Sequence, residues 1–284
     1  MPDKVRFYGF TGSNSVYTGR LLLEHKGLEY RFVKLPPAAH AFILLALGFP
    51  TMGAPALKIG GRRVSGTRWI ARALDELYPD DPLFPADAEL RREVQRAERW
   101  GEELQNATRR TFYSAARRDR DAFMSVLGSG RGPVRRAGLR LMSPIIIRLA
   151  TGVHRASDDA AREDIELLPE RLDQIDAWIA AGVLNGESLN AADYQIAVNV
   201  SALLLCDDFI PFVDGRPAAE LARRVAPDYV GHLDPVVPDE WMAELRTAYA
   251  RSAAGAGAVA PAPNGTSVAD SDATRVASLM RASL

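Results

Sequence analysis

The segment TMGAPALKIGGRRVSGTRWIARALDELY, Thr51 to Tyr78, constrains the fold more than any other part of the chain. Two short alternating runs, Ala56 to Ile59 and Arg62 to Val64, flank Gly60-Gly61, and a Gly-Gly pair in that position predicts a two-residue β-hairpin. Ile70, Leu74 and Leu77 then recur at the spacing of one helix face, so a helix beginning near Gly66 is predicted to lie against a sheet. Pro55 has no N–H for a ladder, which places it just ahead of the first strand and leaves neighbouring backbone groups for another partner. The isomer of its peptide bond stays open at this level.

The upstream pieces complete a sheet. Val5 to Phe10 and Tyr30 to Leu35 read as strands on either side of a helix over Tyr17 to Lys26, and Ala38 to Leu47 as a short second helix. With the hairpin they predict a four-stranded mixed sheet flanked by helices. The proline-rich run PDDPLFPADA breaks this pattern, and from Glu89 helical periodicity takes over. The expected division is therefore an α/β domain over 1–78, a linker over 79–88, an all-helical domain over 89–251, and a flexible Ala/Gly/Ser-rich tail over 252–284 holding at most a short helix from Thr274.

Within the helical part, Ala88 to Ala116 reads as one long helix. The basic stretch Arg117 to Arg140, interrupted by GSGRGP, reads as two short helices or an elbow. Core packing is the plainer reading of the apolar Ile145 to Ile147; its alternative is contact with another subunit or peripheral contact with a membrane, since the run is far shorter than the roughly 20 residues that span a bilayer. Asp158 to Ala181 reads as a helix bent at Pro169. Asn190 to Asp193 has capping-box spacing ahead of a helix, Ala191 to Leu205, that is apolar on nearly every side. Shorter helices are predicted over Arg216 to Val225 and Asp239 to Arg251.

Composition excludes several functions. The 284 residues carry a formal net charge of -1, which gives no basic field for nucleic acid. Cys206 is the single cysteine, so there is no internal disulfide framework. His25, His40, His154 and His232 are scattered without an HExxH pattern, so no metal centre is expected. The opening MPDKVRFYGF lacks a secretory apolar run, and a cytoplasmic setting is the expectation.

The x-Pro-x-Leu segment at Pro55, the Gly-rich hairpin and the helix behind it resemble the second half of the thioredoxin-like N-terminal domain of the glutathione transferase family. Pro82 to Pro85 resembles that family's interdomain connection, and the Asn190-Asp193 helix its C-terminal folding motif, in which the Asp is structural. The resemblance spans about residues 4 to 250. It implies an α/β thioredoxin-like domain followed by an all-α bundle, with glutathione or another low-molecular-weight thiol as cosubstrate, a small hydrophobic electrophile as its acceptor, and a homodimer. Pro55 becomes the family's cis-proline, and Ala54 the residue whose backbone pairs with the cysteinyl part of the thiol. Gly66 and Thr67 fall where the family has an acidic or amide residue followed by Ser. Thr67 keeps a hydroxyl at the helix start for the γ-glutamyl carboxylate, while Gly66 removes a side chain that normally helps hold the glutamyl amine.

Measured back from Lys26-Gly27, the resemblance puts Ser13 at the position of the activating hydroxyl, with Asn14 replacing a frequent Pro. Such a hydroxyl donates to the thiol sulfur and favours the thiolate near a helix N-terminus. Tyr8 and then Tyr17 compete for the role, with an ordinary sheet aromatic as the plain reading of Tyr8 and a helix cap as that of Ser15. Trp100, Arg109, Phe112 and Tyr113 on the first long helix are the expected wall of the second-substrate pocket, plain packing being equally open to Trp100 and Phe112. Loss of catalysis with retention of the scaffold, giving a binding or interaction protein, is the alternative reading that Gly66, Asn14 and the polar tail support.

Overall fold

Strand β1 (Arg6–Gly9) lies at the centre of the sheet because both of its faces are apolar. Phe7 is fully buried on one face and Tyr8 is 5% exposed on the other. Helix α1 (Asn14–His25) carries the chain back to β2 (Arg31–Lys34), which pairs with β1 in parallel, Phe7 opposite Phe32. A short helix α2 (His40–Ala46) precedes β3 (Ala56–Ile59), which pairs with β1 antiparallel, Phe7 opposite Leu57 and Tyr8 opposite Ala56. Gly60 and Gly61, both at positive φ of 54° and 76°, turn the chain into β4 (Arg62–Ser65). The sheet order is β2-β1-β3-β4, the mixed four-stranded sheet that the two halves of the sequence predict.

This computed structural model describes residues 5–37, 39–121, 133–229 and 231–255. Residues 122–132 of the stretch expected to form two short helices or an elbow, and the tail helix from Thr274, lie outside the described residues, while residues 133–140 open a helix of 21 residues rather than a short one. The unit ending at Tyr249 is compact in itself.

Two apolar clusters divide the sheet faces. Phe7, Leu57 and Ile59 join Leu22 and Leu23 of α1 and Ile70, Ala71 and Leu74 of α3 (Thr67–Leu77) in the main core. Tyr8 and Ala56 face the opposite way, into a small cluster with Leu35, Leu44 and Phe49 beneath α2. The main core continues through Leu83 and Phe84, both buried, into the helical region. Asp75 fixes this passage: its carboxylate accepts from the Leu83 and Phe84 N–H groups at 2.8 and 3.2 Å and pairs with Lys26 Nζ at 2.8 Å.

Helix α4 (Ala88–Arg118) starts where the Asp87 side chain accepts from the Glu89 and Leu90 N–H groups. It is followed by α5 (Pro133–Val153), α6 (Asp158–Glu166), α7 (Leu168–Ala180), α8 (Ala191–Leu203), α9 (Ile210–Val213), α10 (Pro217–Val225) and α11 (Asp239–Gly255). Every residue of α8 is buried, which explains its apolarity on all sides. Its Asn190-Asp193 capping box is formed in full, with the Asp193 carboxylate accepting from Asn190 N–H at 2.8 Å and from Asn185 N–H at 2.7 Å.

Three expectations change. The bend at Pro169 is a break: α6 ends at Glu166 and Pro169 sits in the first turn of a separate helix, where its missing N–H leaves no gap in the ladder. Helix α1 begins at Asn14, three residues earlier than its apolar periodicity indicates, because the first turn contributes polar groups to the domain contact. Core packing holds for Ile147, which is 6% exposed, but Ile145 and Leu149 are each 52% exposed.

Candidate functional site

The Ala54-Pro55 peptide bond is cis, and it turns the backbone ahead of β3 toward the start of α1. Three chain segments meet there. Ser15 Oγ donates to the Ala54 carbonyl at 3.2 Å, which ties the first turn of α1 to the proline loop. Gly66 N–H donates to the Pro55 carbonyl at 2.8 Å, which ties the start of α3 to the same loop. Arg109 Nη2, from α4, donates to Ser15 Oγ at 2.9 Å. The site therefore lies where the proline loop and two helix N-termini are faced by the first long helix.

Ser13 is the N-cap residue of α1, and its side chain makes no capping bond. Its Oγ lies 3.1 Å from Ser15 Oγ. Since the single Ser15 hydrogen is directed at Ala54, Ser13 is the donor of that pair. Ser15 is not the cap that the sequence suggests; it is 4% exposed and accepts from two partners while donating to a third. Asn14 is held across the domain contact, donating to Asn199 Oδ1 at 3.2 Å and accepting from Tyr229 OH at 2.6 Å.

Gly66 has φ of 89°, a backbone conformation that costs a side-chain-bearing residue free energy, so its place in the sequence has a conformational reason apart from any ligand. Thr67 is buried, and its hydroxyl donates to Gln195 Oε1 at 2.8 Å across the domain contact. What remains at the start of α3 is its backbone: no side chain caps it, no acidic residue stands in its first turn, and Ile70 N–H is already bonded to Gly66 C=O. The preceding first-turn N–H groups have no partner within the helix, the arrangement that receives an anion.

The other candidates separate. Tyr8 is packed edge-on against Phe49 with ring centroids 5.1 Å apart, in the small cluster under α2. Tyr17 packs against Tyr229 at 5.0 Å with the Arg20 guanidinium 5.0 Å from its ring. On α4, Trp100 and Phe112 turn into the helical core, meeting Trp178 at 5.1 Å and Phe209 at 6.2 Å. Arg109 reaches Ser15, and Tyr113 stands one turn further along the same helix, close enough to interact electrostatically with Arg109. Tyr113 stacks on His154 with the rings 5.4 Å apart and 9° from parallel.

Electrostatics at this face is dominated by Arg109. Burial pushes its pKa down, with partial relief from Tyr113 and Glu102. Burial raises the Tyr113 phenol. Burial, then Arg109 and Arg110, lower His154 to about 4, so its ring is neutral at pH 7. Sequence reasoning missed Ser15, His154 and Gln105; only Gln105 left a signal, its four-residue spacing from Arg109. His232 is less isolated than the sequence suggests, since one side-chain ligand atom from each of exposed Asp207, His232 and Asp234 lies within 4.8 Å of the others. None of these three belongs to the site built above.

Residues 7–82 match the family model described as "Glutathione S-transferase, N-terminal domain". No curated protein matches the chain. Among solved structures, a glutathione S-transferase from Sinorhizobium meliloti 1021 shares 20% identity, covers 86% of this chain and 99% of its own, and has a TM-score of 0.52. The β-etherase LigF from Sphingobium sp. strain SYK-6 shares 16% identity over 87% of this chain and 94% of its own, with a TM-score of 0.51. A glutathione S-transferase from Methylobacterium radiotolerans, solved in complex with glutathione sulfonate, shares 18% identity over 93% and 100% of the two chains, with a TM-score of 0.50. These likenesses establish the fold: a thioredoxin-like sheet domain followed by an all-helical region.

Proposed function

We propose that this chain, whose residues 7–82 match a glutathione S-transferase N-terminal domain and whose fold is shared with solved glutathione S-transferases, is a thiol-dependent transferase acting on a hydrophobic electrophile. Glutathione, or a small thiol like it, lies along the proline loop. The Ala54 carbonyl, which has a second lone pair beside the one given to Ser15, pairs with the cysteinyl backbone. The γ-glutamyl carboxylate takes the first-turn N–H groups of α3, since the Thr67 hydroxyl is committed to Gln195. This route serves the carboxylate, while Gly66 offers no side chain to the glutamyl amine.

Sulfur then sits at the mouth of α1. Ser13 turns its hydroxyl from Ser15 to the sulfur and donates to it, and the positive end of α1 adds to the stabilisation of the thiolate. The thiolate electron pair forms the new C–S bond. In a displacement the leaving group departs with its bonding pair; in an addition the displaced π pair moves to the atom next to the attacked carbon, and that atom takes a proton from solvent. Tyr113 and Arg109 form the side of the pocket that faces this sulfur. Positioning of the two reactants removes much of the entropic barrier. We extend the reading to a homodimer, which Trp69 at 63%, Met52 at 48% and Phe42 at 74% exposure support as apolar contact area.

The observation that carries the proposal is the meeting of three elements at one loop: Ser15 on Ala54, Gly66 on Pro55, and the uncapped start of α3 beside them. Calorimetric titration with glutathione, followed by turnover with a panel of displacement and addition electrophiles, tests it. Saturable binding with conjugate formation is expected. Binding without turnover favours a carrier or sensor on the same scaffold, and neither rejects the proposal in favour of an interaction module.

A further inference from the structure

Gln105, Arg109 and Tyr113 follow one another along α4 at four-residue spacing, each a neighbour of the next on the helix surface, and Arg109 reaches Ser15. Arg109 Nη2 donates to Ser15 Oγ at 2.9 Å, yet among the described residues no carboxylate lies within 4.0 Å of this guanidinium. The adjacent Arg110 shows what compensation looks like in this chain: its Nε and Nη2 reach Asp164 at 2.6 and 2.8 Å. A half-buried guanidinium offers five donors, and the Ser15 hydroxyl takes only one. A charge withdrawn from water in this way is unfavourable until an anion meets it.

Gln105 is an independent sign of a missing partner. It is 5% exposed, and its Nε2 has no hydrogen-bond acceptor among the described residues. Buried amide donors are normally satisfied, so an orphan one turn from an arginine that has no ion-pair partner among the described residues, and only partial relief from Tyr113 and Glu102, marks a place for an acceptor group. Past Arg109, the stacked rings of Tyr113 and His154 supply a flat aromatic surface, and His154 contributes no charge there at neutral pH.

We propose that Arg109 and Gln105 hold a carboxylate on the second substrate, so that the enzyme takes electrophiles bearing an acidic group on an apolar or aromatic body that rests against Tyr113 and His154. The inference builds on the thiol-transferase reading and names its substrate class. A monoanion fits better than a phosphate dianion, because one cation and one neutral amide face it. A planar carboxylate also suits the planar guanidinium fork. Arg109 is then a specificity-determining residue, and its bond to Ser15 places the carboxylate beside the sulfur site and distinct from the α3 N-terminus.

The test is calorimetry on the full chain with benzoate, 3-phenylpropanoate and 4-phenylbutanoate, each beside its methyl ester, and with glutathione titrated separately. At least one acid is expected to bind about tenfold or more tightly than its ester, the scale of a lost charged hydrogen bond. Arg109→Gln is expected to erase that preference, Arg109→Lys to keep part of it, and Gln105→Leu to reduce it severalfold; glutathione affinity is expected to stay within about twofold of wild type in Gln105→Leu, which leaves the Arg109–Ser15 bond in place. Thermal melts confirm that each variant is folded, and the lysine variant keeps the test decisive if the glutamine variant is not. The proposal is overturned if no acid binds, if esters bind as well as acids, or if the preference survives in Arg109→Gln. It is overturned equally if Gln105→Leu abolishes glutathione binding along with acid binding, because the amide then serves the thiol. Acid binding that depends on Arg109 in a protein that ignores glutathione retains this anion site and rejects the thiol-transferase reading instead.

Discussion

Ser15 Oγ donates to the Ala54 carbonyl at 3.2 Å, and through this bond the first turn of α1 and the cis-proline loop are one structural unit. The same oxygen accepts from Arg109, so one buried hydroxyl links the sheet domain to α4. Ser15→Ala leaves the Ala54 carbonyl and an Arg109 N–H without that partner. A loss of about 1–3 kcal/mol is expected from unmade buried hydrogen bonds. Urea denaturation followed by circular dichroism reads it; a variant as stable as wild type rejects the linking role.

Gly66→Ala separates backbone strain from steric conflict. A Cβ at Gly66 would meet Trp69 Cδ1 at 3.8 Å, an ordinary contact, while φ of 89° disfavours any side chain. The substitution is expected to destabilise by roughly 1–3 kcal/mol. It is also expected to weaken glutathione binding, because it disturbs the start of α3. Denaturation and calorimetry on the same sample measure both effects, and an unchanged midpoint contradicts the conformational account.

Asp193 is a structural acid. It is fully buried and accepts from two backbone N–H groups at 2.7 and 2.8 Å. Asp193→Ala is expected to remove on the order of 2–4 kcal/mol by orphaning both donors and losing the capping box. The protein that stays folded is expected to keep its turnover number, as judged by activity per folded molecule at low temperature. A large fall in that number at unchanged stability assigns Asp193 to the chemistry.

His154 gives the fold a pH dependence with a definite sign. Its folded pKa is lowered from 6.5 to about 4 by burial and then by Arg109 and Arg110. Above pH 6.5 the contribution is fully present, and as pH falls through 4 it is lost, because the unfolded chain takes up the proton first. The ring is partly exposed, so after solvent screening the effect is about 1–2 kcal/mol. Denaturation midpoints between pH 7 and pH 4.5 are expected to fall less steeply in His154→Asn than in wild type. Parallel slopes contradict this assignment.

The sheet was legible because each of its signals is local: the Gly60-Gly61 turn, the position of Pro55, and the helix-face spacing of Ile70 and Leu74. The Asn190-Asp193 box was legible for the same reason, as a cap needs only four consecutive residues. The two faces of β1 were not separable in the same way. Phe7 and Tyr8 are both buried, and only the packing of α2 over Tyr8 shows that the phenol points into a closed cluster. Ser15 reads as a cap from sequence because its partners, Ala54 and Arg109, are distant along the chain. Trp100 and Phe112 group with Arg109 and Tyr113 on one helix, and tertiary contacts with Trp178 and Phe209 divide them.

In the proposed reaction Ser13 lowers the pKa of a bound thiol, and the direct measurement is the thiolate ultraviolet absorbance of bound glutathione titrated against pH. Wild type is expected to ionise well below the roughly 8.5 of a free thiol. Ser13→Ala is expected to move that pKa upward and to slow transfer about ten- to a hundredfold at neutral pH, the equivalent of roughly 1.5–3 kcal/mol, with partial recovery in alkali. Tyr8→Phe, which removes only a phenolic oxygen, is expected to leave the titration where it was. If Ser13→Ala titrates as wild type does while Tyr8→Phe shifts the curve and the rate, the activating hydroxyl belongs to Tyr8 and the Ser13 assignment is wrong.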